Sequence, residues 1–216
     1  FETTFLFHLL GSNRNKEFQP YLENKPNYFI TGFCLGLQTM NVATGGTLIQ
    51  DIPAELFGAE TPEATVKIGR PNLHRNYWQK ITDDRQLMSI SFHPLRFTEN
   101  PFFSERAGIN VKSKPLVYSS HHQAIKKLGE GFEPTAVSVD GRIIEAIAHK
   151  KYPNVFAVQF HPEVPALYEN RDKRKFHPSD ELKSYHEIIG DEGLSFHIKY
   201  WNFMSKAIKK AVNENR

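Results

Sequence analysis

Hydrophobic and polar positions alternate in three different rhythms along the chain, and each predicts a different element. Phe1 to Leu10 carries apolar residues on one face and stops at Gly11, the pattern of a helix end. Ser12 to Pro26 is polar, with a short helix expected around Phe18 to Leu22. Tyr28 to Thr31 is a compact β-prone run. The rhythm then changes to a helical one, with Leu37, Met40 and Val42 set among Gln38 and Asn41. Gly45-Gly46 closes that helix, and Thr47 to Phe57 reads as a loop with a short turn. Gly58 to Asp84 has little periodicity and is expected to be a surface excursion, with His74 and Trp78 in it.

Gln86 to Phe92 alternates and predicts a strand ended by His93-Pro94. Ile109 to Val111 and Pro115 to Tyr118 predict further short strands. Ser119 to Leu128 reads as a polar turn opening a short helix. Pro134 to Asp140 and Arg142 to Ala148 are alternating runs joined at Asp140-Gly141, a strong hairpin signal. Val155 to Phe160 is continuously apolar, as a strand buried on both faces must be. Tyr168 to Asp191 is charged and loop-like with one helix expected over Ser179 to Ile189. A last amphipathic helix, Phe196 to Val212, puts Phe196, Trp201, Met204, Ile208 and Val212 on one stripe with lysines opposite. Neither a repeat nor a linker divides the chain, so residues 1–216 read as a single domain.

The composition narrows the class. With 216 residues, 39% hydrophobic and 24% charged, the chain has the make-up of an ordinary globular domain. A net charge of +3 with scattered Lys and Arg argues against a nucleic-acid partner. Apolar runs are too short to span a membrane, for which about 18 residues are needed. The single cysteine excludes an intrachain disulfide framework and fits a reducing compartment, so the expected location is cytoplasmic.

That cysteine sits at the change of rhythm. Strand, Gly32-Phe33-Cys34-Leu35-Gly36, then helix is a nucleophile-elbow pattern carrying Cys where such elbows often carry Ser. Glycines let strand and helix backbones pass closely while the nucleophile occupies a strained turn. The helix N-terminus favours a thiolate there, and the Leu35 N–H is placed to receive an oxyanion. A lone cysteine is more often a small buried hydrophobe than a nucleophile, so a base is needed to decide. His161 supplies one: it follows the buried strand, with Glu163 two positions on and Pro162 stiffening the backbone between them. A histidine beside a carboxylate serves as a base on a thiol, with the carboxylate orienting the ring.

The sequence GFCLGLQ, then NVATGGTLIQDIP, then SSHHQAI, then the Asp-Gly hairpin with IEAIAH, then FAVQFHPE, resembles class I glutamine amidotransferases. Within them it is most similar to the gamma-glutamyl hydrolase-like branch that includes gamma-glutamyl-GABA hydrolases. The similarity runs from Phe1 to about Val164, leaving 165–216 as an extended loop and C-terminal helices. The resemblance implies an α/β three-layer sandwich with a mostly parallel central sheet flanked by helices, flavodoxin-like in plan. It implies Cys34 as nucleophile, His161 as general base and acid, Glu163 as the group orienting His161, and Leu35 as oxyanion donor. Gln38, His121, His122 and Gln123 would line the pocket for a small-molecule gamma-glutamyl substrate. No cofactor and no metal are implied, and His121-His122 reads as too isolated from Cys or carboxylate ligands to hold zinc. His74 and His93 read as structural or surface residues.

Two departures accompany the resemblance. The family's opening strands and the glycine pair that gives a second oxyanion N–H find no match, so a segment upstream of Phe1 is expected in the native protein. Leu35 stands where the family often has Arg. The expected activity is hydrolysis of a gamma-glutamyl amide or peptide bond through a thioester. The alternatives are a glutaminase subunit of an amidotransferase and an inactive binding homologue. A homodimer is the one protein partner expected.

Overall fold

The computed structural model describes residues 1–214. Its elements in chain order are α1 (Glu2–Leu10), β1 (Ile30–Phe33), α2 (Leu35–Ala43), β2 (Thr47–Ile49), α3 (Ile52–Phe57) and α4 (Pro62–Thr65). They continue with β3 (Ser91–Phe97), β4 (Leu116–Ser119), β5 (Ala124–Lys127), β6 (Phe132–Ser138), β7 (Ile144–His149), β8 (Val155–Val158) and α5 (Tyr185–Glu214). Gly11 ends α1 with φ 74°, its N–H donating to Phe7 O, as the sequence predicts.

Among the described residues a six-stranded sheet runs β1-β8-β7-β6-β3-β4, and β2 with β5 makes a separate two-stranded ribbon. The fold is α/β, a curled sheet with helices on both faces. Its strand directions correct the expectation of a mostly parallel sheet: β1 and β8 are parallel, and the other four neighbouring pairs are antiparallel. Short connections decide this. The Asp140-Gly141 turn, with Gly141 at φ 78°, joins β6 to β7 directly, and a direct turn reverses the chain.

The alternating faces of β8 explain its unbroken apolar run. Phe156 and Val158 pack with Leu95, Ala136, Phe196, Tyr200 and Phe203 on the α5 side. Val155 and Ala157 pack with Leu9, Leu37, Met40 and Ile147 on the α1 and α2 side. The α5 stripe is rotated from the predicted one. Phe196, Tyr200, Phe203, Met204, Ala207 and Ala211 are buried, whereas Ile208 and Val212 are 44% and 48% exposed. Small alanines let the helix lie close to the sheet, so the larger residues on the neighbouring stripe are left outside.

Other elements differ locally. The predicted strand at Gln86 to Phe92 is displaced to 91–97 and runs through His93-Pro94. Leu95 N donates to Pro115 O on the β4 side, so the nitrogen of Pro94 faces the β6 side, where pairing begins only at Leu95. The helix expected within Ser119 to Leu128 is instead β5, because its pairing with β2 buries Ala124 with Ile49, Ile52 and Ile143 on one face and Ile125 with Leu37 and Met40 on the other. Ile109 to Val111 is not a strand; Ile109 folds back so that its N–H meets Phe103 O. Thr47 to Phe57 holds β2 and α3, the latter capped by Asp51 Oδ1 on Ala54 N at 2.8 Å. The helix expected from Ser179 starts at Tyr185 and is broken at Gly190, which has φ 59° and ψ −172°.

Candidate active site

Both halves of the predicted site sit at the C-terminal ends of the two parallel strands, where α/β sheets place their ligands. Phe33 is paired with Val158, and Cys34 N extends the ladder to Val158 O at 2.9 Å. The chain then turns abruptly. Cys34 has φ 48° and ψ −102° and is followed at once by the first residue of α2. Positive φ at a side-chain-bearing residue is strained, and it holds the half-buried thiol at the helix N-terminus. Gly32 makes the turn sterically possible: a Cβ there would lie 2.7 Å from the Gly36 carbonyl carbon. Gly36 is different, since a Cβ on it would meet nothing within 4 Å. The Leu35 N–H belongs to the first helical turn, where backbone donors have no partner within the helix; the Leu35 side chain is exposed. Beside it an open groove of about 410 Å³ is lined by Thr31, Leu35, Gly36, Thr39 and the α1 residues Glu2 and Phe5.

His161 is fixed from several sides. Its N–H donates to Tyr118 O at 3.0 Å, and the Tyr118 ring stands edge-on to the imidazole at 5.7 Å. Nδ1 lies 2.6 Å from Glu163 Oε1. With that nitrogen occupied, Nε2 is left for the thiol. The Cys34 thiol and then Glu163 pull the imidazole pKa upward against the opposing effect of burial, to about 9. The loop carrying both groups is tied to the rest of the fold through Pro162 O. That carbonyl accepts from the Tyr168 hydroxyl at 2.7 Å and from Trp201 Nε1 on α5 at 3.1 Å. Sequence reasoning placed Trp201 in the core and missed this contact. The signal was an indole N–H, which needs a partner when a Trp is packed inward.

The four residues expected to line the pocket are distributed differently. Gln38 is 4% exposed and donates through Nε2 to Gln123 O at 2.9 Å and Gln159 Oε1 at 3.2 Å. It ties α2 to the 121–123 loop and to the end of β8. Gln123 Nε2 donates to Gln50 Oε1 at 2.9 Å, and His122 O accepts from Ile52 N at 2.7 Å. His121 is 4% exposed, and its Nε2 lies 3.9 Å from Glu145 Oε1. His74 and His93 are likewise buried rather than at the surface, and they meet His121 at the same carboxylate. The isolation of His121 from carboxylates is therefore a property of the linear sequence only.

Residues 21–163 match the Peptidase C26 family, and the chain belongs to that family. It is 32% identical to the glutamine amidotransferase-like protein YvdE of Lactococcus lactis subsp. lactis (strain IL1403), over 71% of this chain and 52% of that protein. It is 30% identical to the glutamine amidotransferase-like protein RP404 of Rickettsia prowazekii (strain Madrid E), over 62% of this chain and 53% of that protein. The chain thus spans about half the length of these curated relatives. A solved glutamine amidotransferase of Thermotoga maritima aligns with a TM-score of 0.39 at 17% identity, over 67% of this chain and 44% of that one. Among the described residues no helix is long and apolar enough to cross a membrane.

Proposed function

We propose that the chain is a cysteine-dependent hydrolase that cleaves a gamma-glutamyl amide or peptide bond through a thioester. The observation that carries this reading is His161, hydrogen-bonded to Glu163 through Nδ1, with Nε2 buried and unpartnered among the described residues and Cys34 near enough to be the main cause of its raised pKa. In the proposed cycle His161 Nε2 takes the Cys34 proton, and the sulfur bonds to the gamma-glutamyl carbonyl carbon. The oxyanion falls on the Leu35 N–H. His161 then gives its proton to the leaving amine as the C–N bond breaks. Water attacks the thioester with its proton passing to His161, and glutamate leaves as the C–S bond breaks and the thiolate returns. Glu163 keeps the imidazole oriented and stabilises its charged form throughout.

The test is hydrolysis of gamma-glutamyl-p-nitroanilide, with labelling by the glutamine-mimicking electrophile 6-diazo-5-oxo-norleucine. Cys34→Ala should abolish turnover and labelling while far-UV circular dichroism is unchanged. Turnover by a folded Cys34→Ala variant would refute the mechanism. The names of the curated relatives favour a second reading, in which the amide is glutamine itself and the released ammonia serves an amidotransferase. Faster release of ammonia from glutamine than of amine from N-substituted glutamines selects that reading; the reverse selects the first. A folded wild-type chain that neither turns over nor labels would select an inactive binding homologue.

A further inference from the structure

Beneath the candidate active site four side chains from four separate segments converge: His74 before β3, His93 on β3, His121 between β4 and β5, and Glu145 on β7. All are at most 4% exposed. One potential ligand atom from each lies within 4.8 Å of all the others. Glu145 Oε1 is the centre of the group, 3.1 Å from His74 Nδ1, 3.7 Å from His93 Nε2 and 3.9 Å from His121 Nε2.

These contacts are close without being hydrogen bonds. None of those three nitrogens, and neither oxygen of Glu145, has a hydrogen-bond partner among the described residues. Buried polar atoms are normally paired, and five unpaired ones facing a common point need a physical explanation. The outer nitrogens of two of the rings point to one. Nδ1 of His121 is 2.9 Å from Gln123 O, and Nδ1 of His93 is 3.4 Å from Pro94 O. An N–H directed at each carbonyl leaves the Nε2 lone pair aimed inward, as in metal-ligating histidines.

We propose that His74, His93, His121 and Glu145 form a binding site for one divalent transition-metal ion, zinc by its ligand set. Three imidazoles and one carboxylate make a closed four-coordinate site without the open position that a catalytic zinc keeps. Tetrahedral zinc with bonds of about 2.0–2.2 Å separates its ligand atoms by about 3.3–3.5 Å. The separations from Glu145 Oε1 bracket that range, and the group as a whole, within 4.8 Å, would draw together around the ion. The ion would pin the 58–84 excursion and the 119–123 loop onto β3 and β7. It would also be linked to both halves of the candidate active site. His121 and Gln38 share Gln123 O, and Gln38 belongs to α2, whose first residue follows Cys34. Glu145 O accepts from Gln159 N, two residues before His161. The ion's role would be positional, and the proposal does not depend on which amide the enzyme cleaves.

The full chain, freed of any polyhistidine tag and stripped with chelator, is given Zn²⁺ alone, gel-filtered and measured for metal content. The expected result is roughly one zinc per chain, as a closed four-ligand site takes, with visible d–d absorption of a four-coordinate site when Co²⁺ replaces it. His93→Gln and Glu145→Gln should lose the ion and the spectrum. Where these variants fail to fold, the wild-type thermal midpoint serves instead, rising with Zn²⁺ and falling back with chelator. Folded wild-type protein that retains no zinc overturns the proposal. So does zinc that both folded variants retain in the wild-type amount, which would place it on other histidines.

Discussion

The two glycines that flank Cys34 are identical in the sequence pattern and opposite in their surroundings. Replacing Gly32 by Ala puts a Cβ 2.7 Å from the Gly36 carbonyl carbon, and 3.0 Å from both its Cα and its oxygen. Carbon atoms prefer about 3.5–4.0 Å, so the overlap is about 0.8 Å or more against backbone that has no rotamer to change. Overpacking of this kind costs about 1–3 kcal/mol. Relief requires the start of α2 to back away from β1, which moves Cys34 relative to His161 in the loop after β8. A misplacement of about 1 Å costs on the order of a hundredfold in rate. Gly36→Ala meets nothing within 4 Å and lies inside the helix. It should be neutral or stabilise by up to about 1 kcal/mol, the helix-propensity difference. Urea unfolding gives the first quantity. The rate of Cys34 alkylation by iodoacetamide gives the second without assuming any substrate. The reasoning fails if Gly32→Ala keeps the wild-type midpoint and alkylation rate, or if Gly36→Ala is the more damaging change.

The remaining predictions concern the groups around that thiol. Glu163→Gln should lower the His161 pKa from about 9, though not to its ordinary value of 6.5, because the thiol is the larger cause. NMR titration of the labelled ring reads this, and an unchanged pKa contradicts it. The same substitution should reduce kcat by about tenfold to a hundredfold, less than the 10²–10⁴ expected for loss of the base itself. A folded pKa above the unfolded one stabilises fully below about pH 6.5 and is lost as pH rises through about 9, so Glu163→Gln should flatten the alkaline decline in stability. His197 has the opposite sign: burial holds it at about 4, so its contribution is present above 6.5 and lost as pH falls toward 4. His197→Leu should therefore reduce the acid slope of unfolding free energy by about 1.4 kcal/mol per pH unit between roughly pH 6 and 4.5; equal slopes would contradict the assignment. Trp201→Phe keeps a ring against Phe33 but removes the N–H donated to Pro162 O and to the Tyr168 hydroxyl. It should cost about 0.5–1.5 kcal/mol and lower kcat with KM little changed; a change in KM alone would argue against a role in holding His161.

The parts of this fold that were legible in the sequence are those whose cause is local. The glycine-framed turn at Cys34 must be read within a few residues, since the steric demand acts between Gly32 and Gly36. The β6–β7 hairpin is fixed by Asp140-Gly141, and the double-sided burial of β8 by its own unbroken run. What was misread depends on partners distant in sequence. Residues 124–127 have a polar, helix-compatible pattern and become a strand because β2 offers an edge and Ile49 a contact. The α5 stripe predicted from amphipathic spacing includes Ile208 and Val212, whereas packing against the sheet buries Ala207 and Ala211 instead.

The same distinction separates the two polar constellations. His161 and Glu163 are two residues apart, and Cys34 announces itself through its glycines, so the Cys-His-Glu group could be assembled before any strand was placed. His74, His93, His121 and Glu145 have no such local signature, because each comes from a different segment and their meeting depends on strand order. β3 and β7 lie on either side of β6, and the excursion must fold back over them. Burying five unpartnered polar atoms of three imidazoles and one carboxyl group is unfavourable unless something compensates them. Four such groups at one point, linked to both halves of the candidate active site, find that compensation in the proposed metal ion.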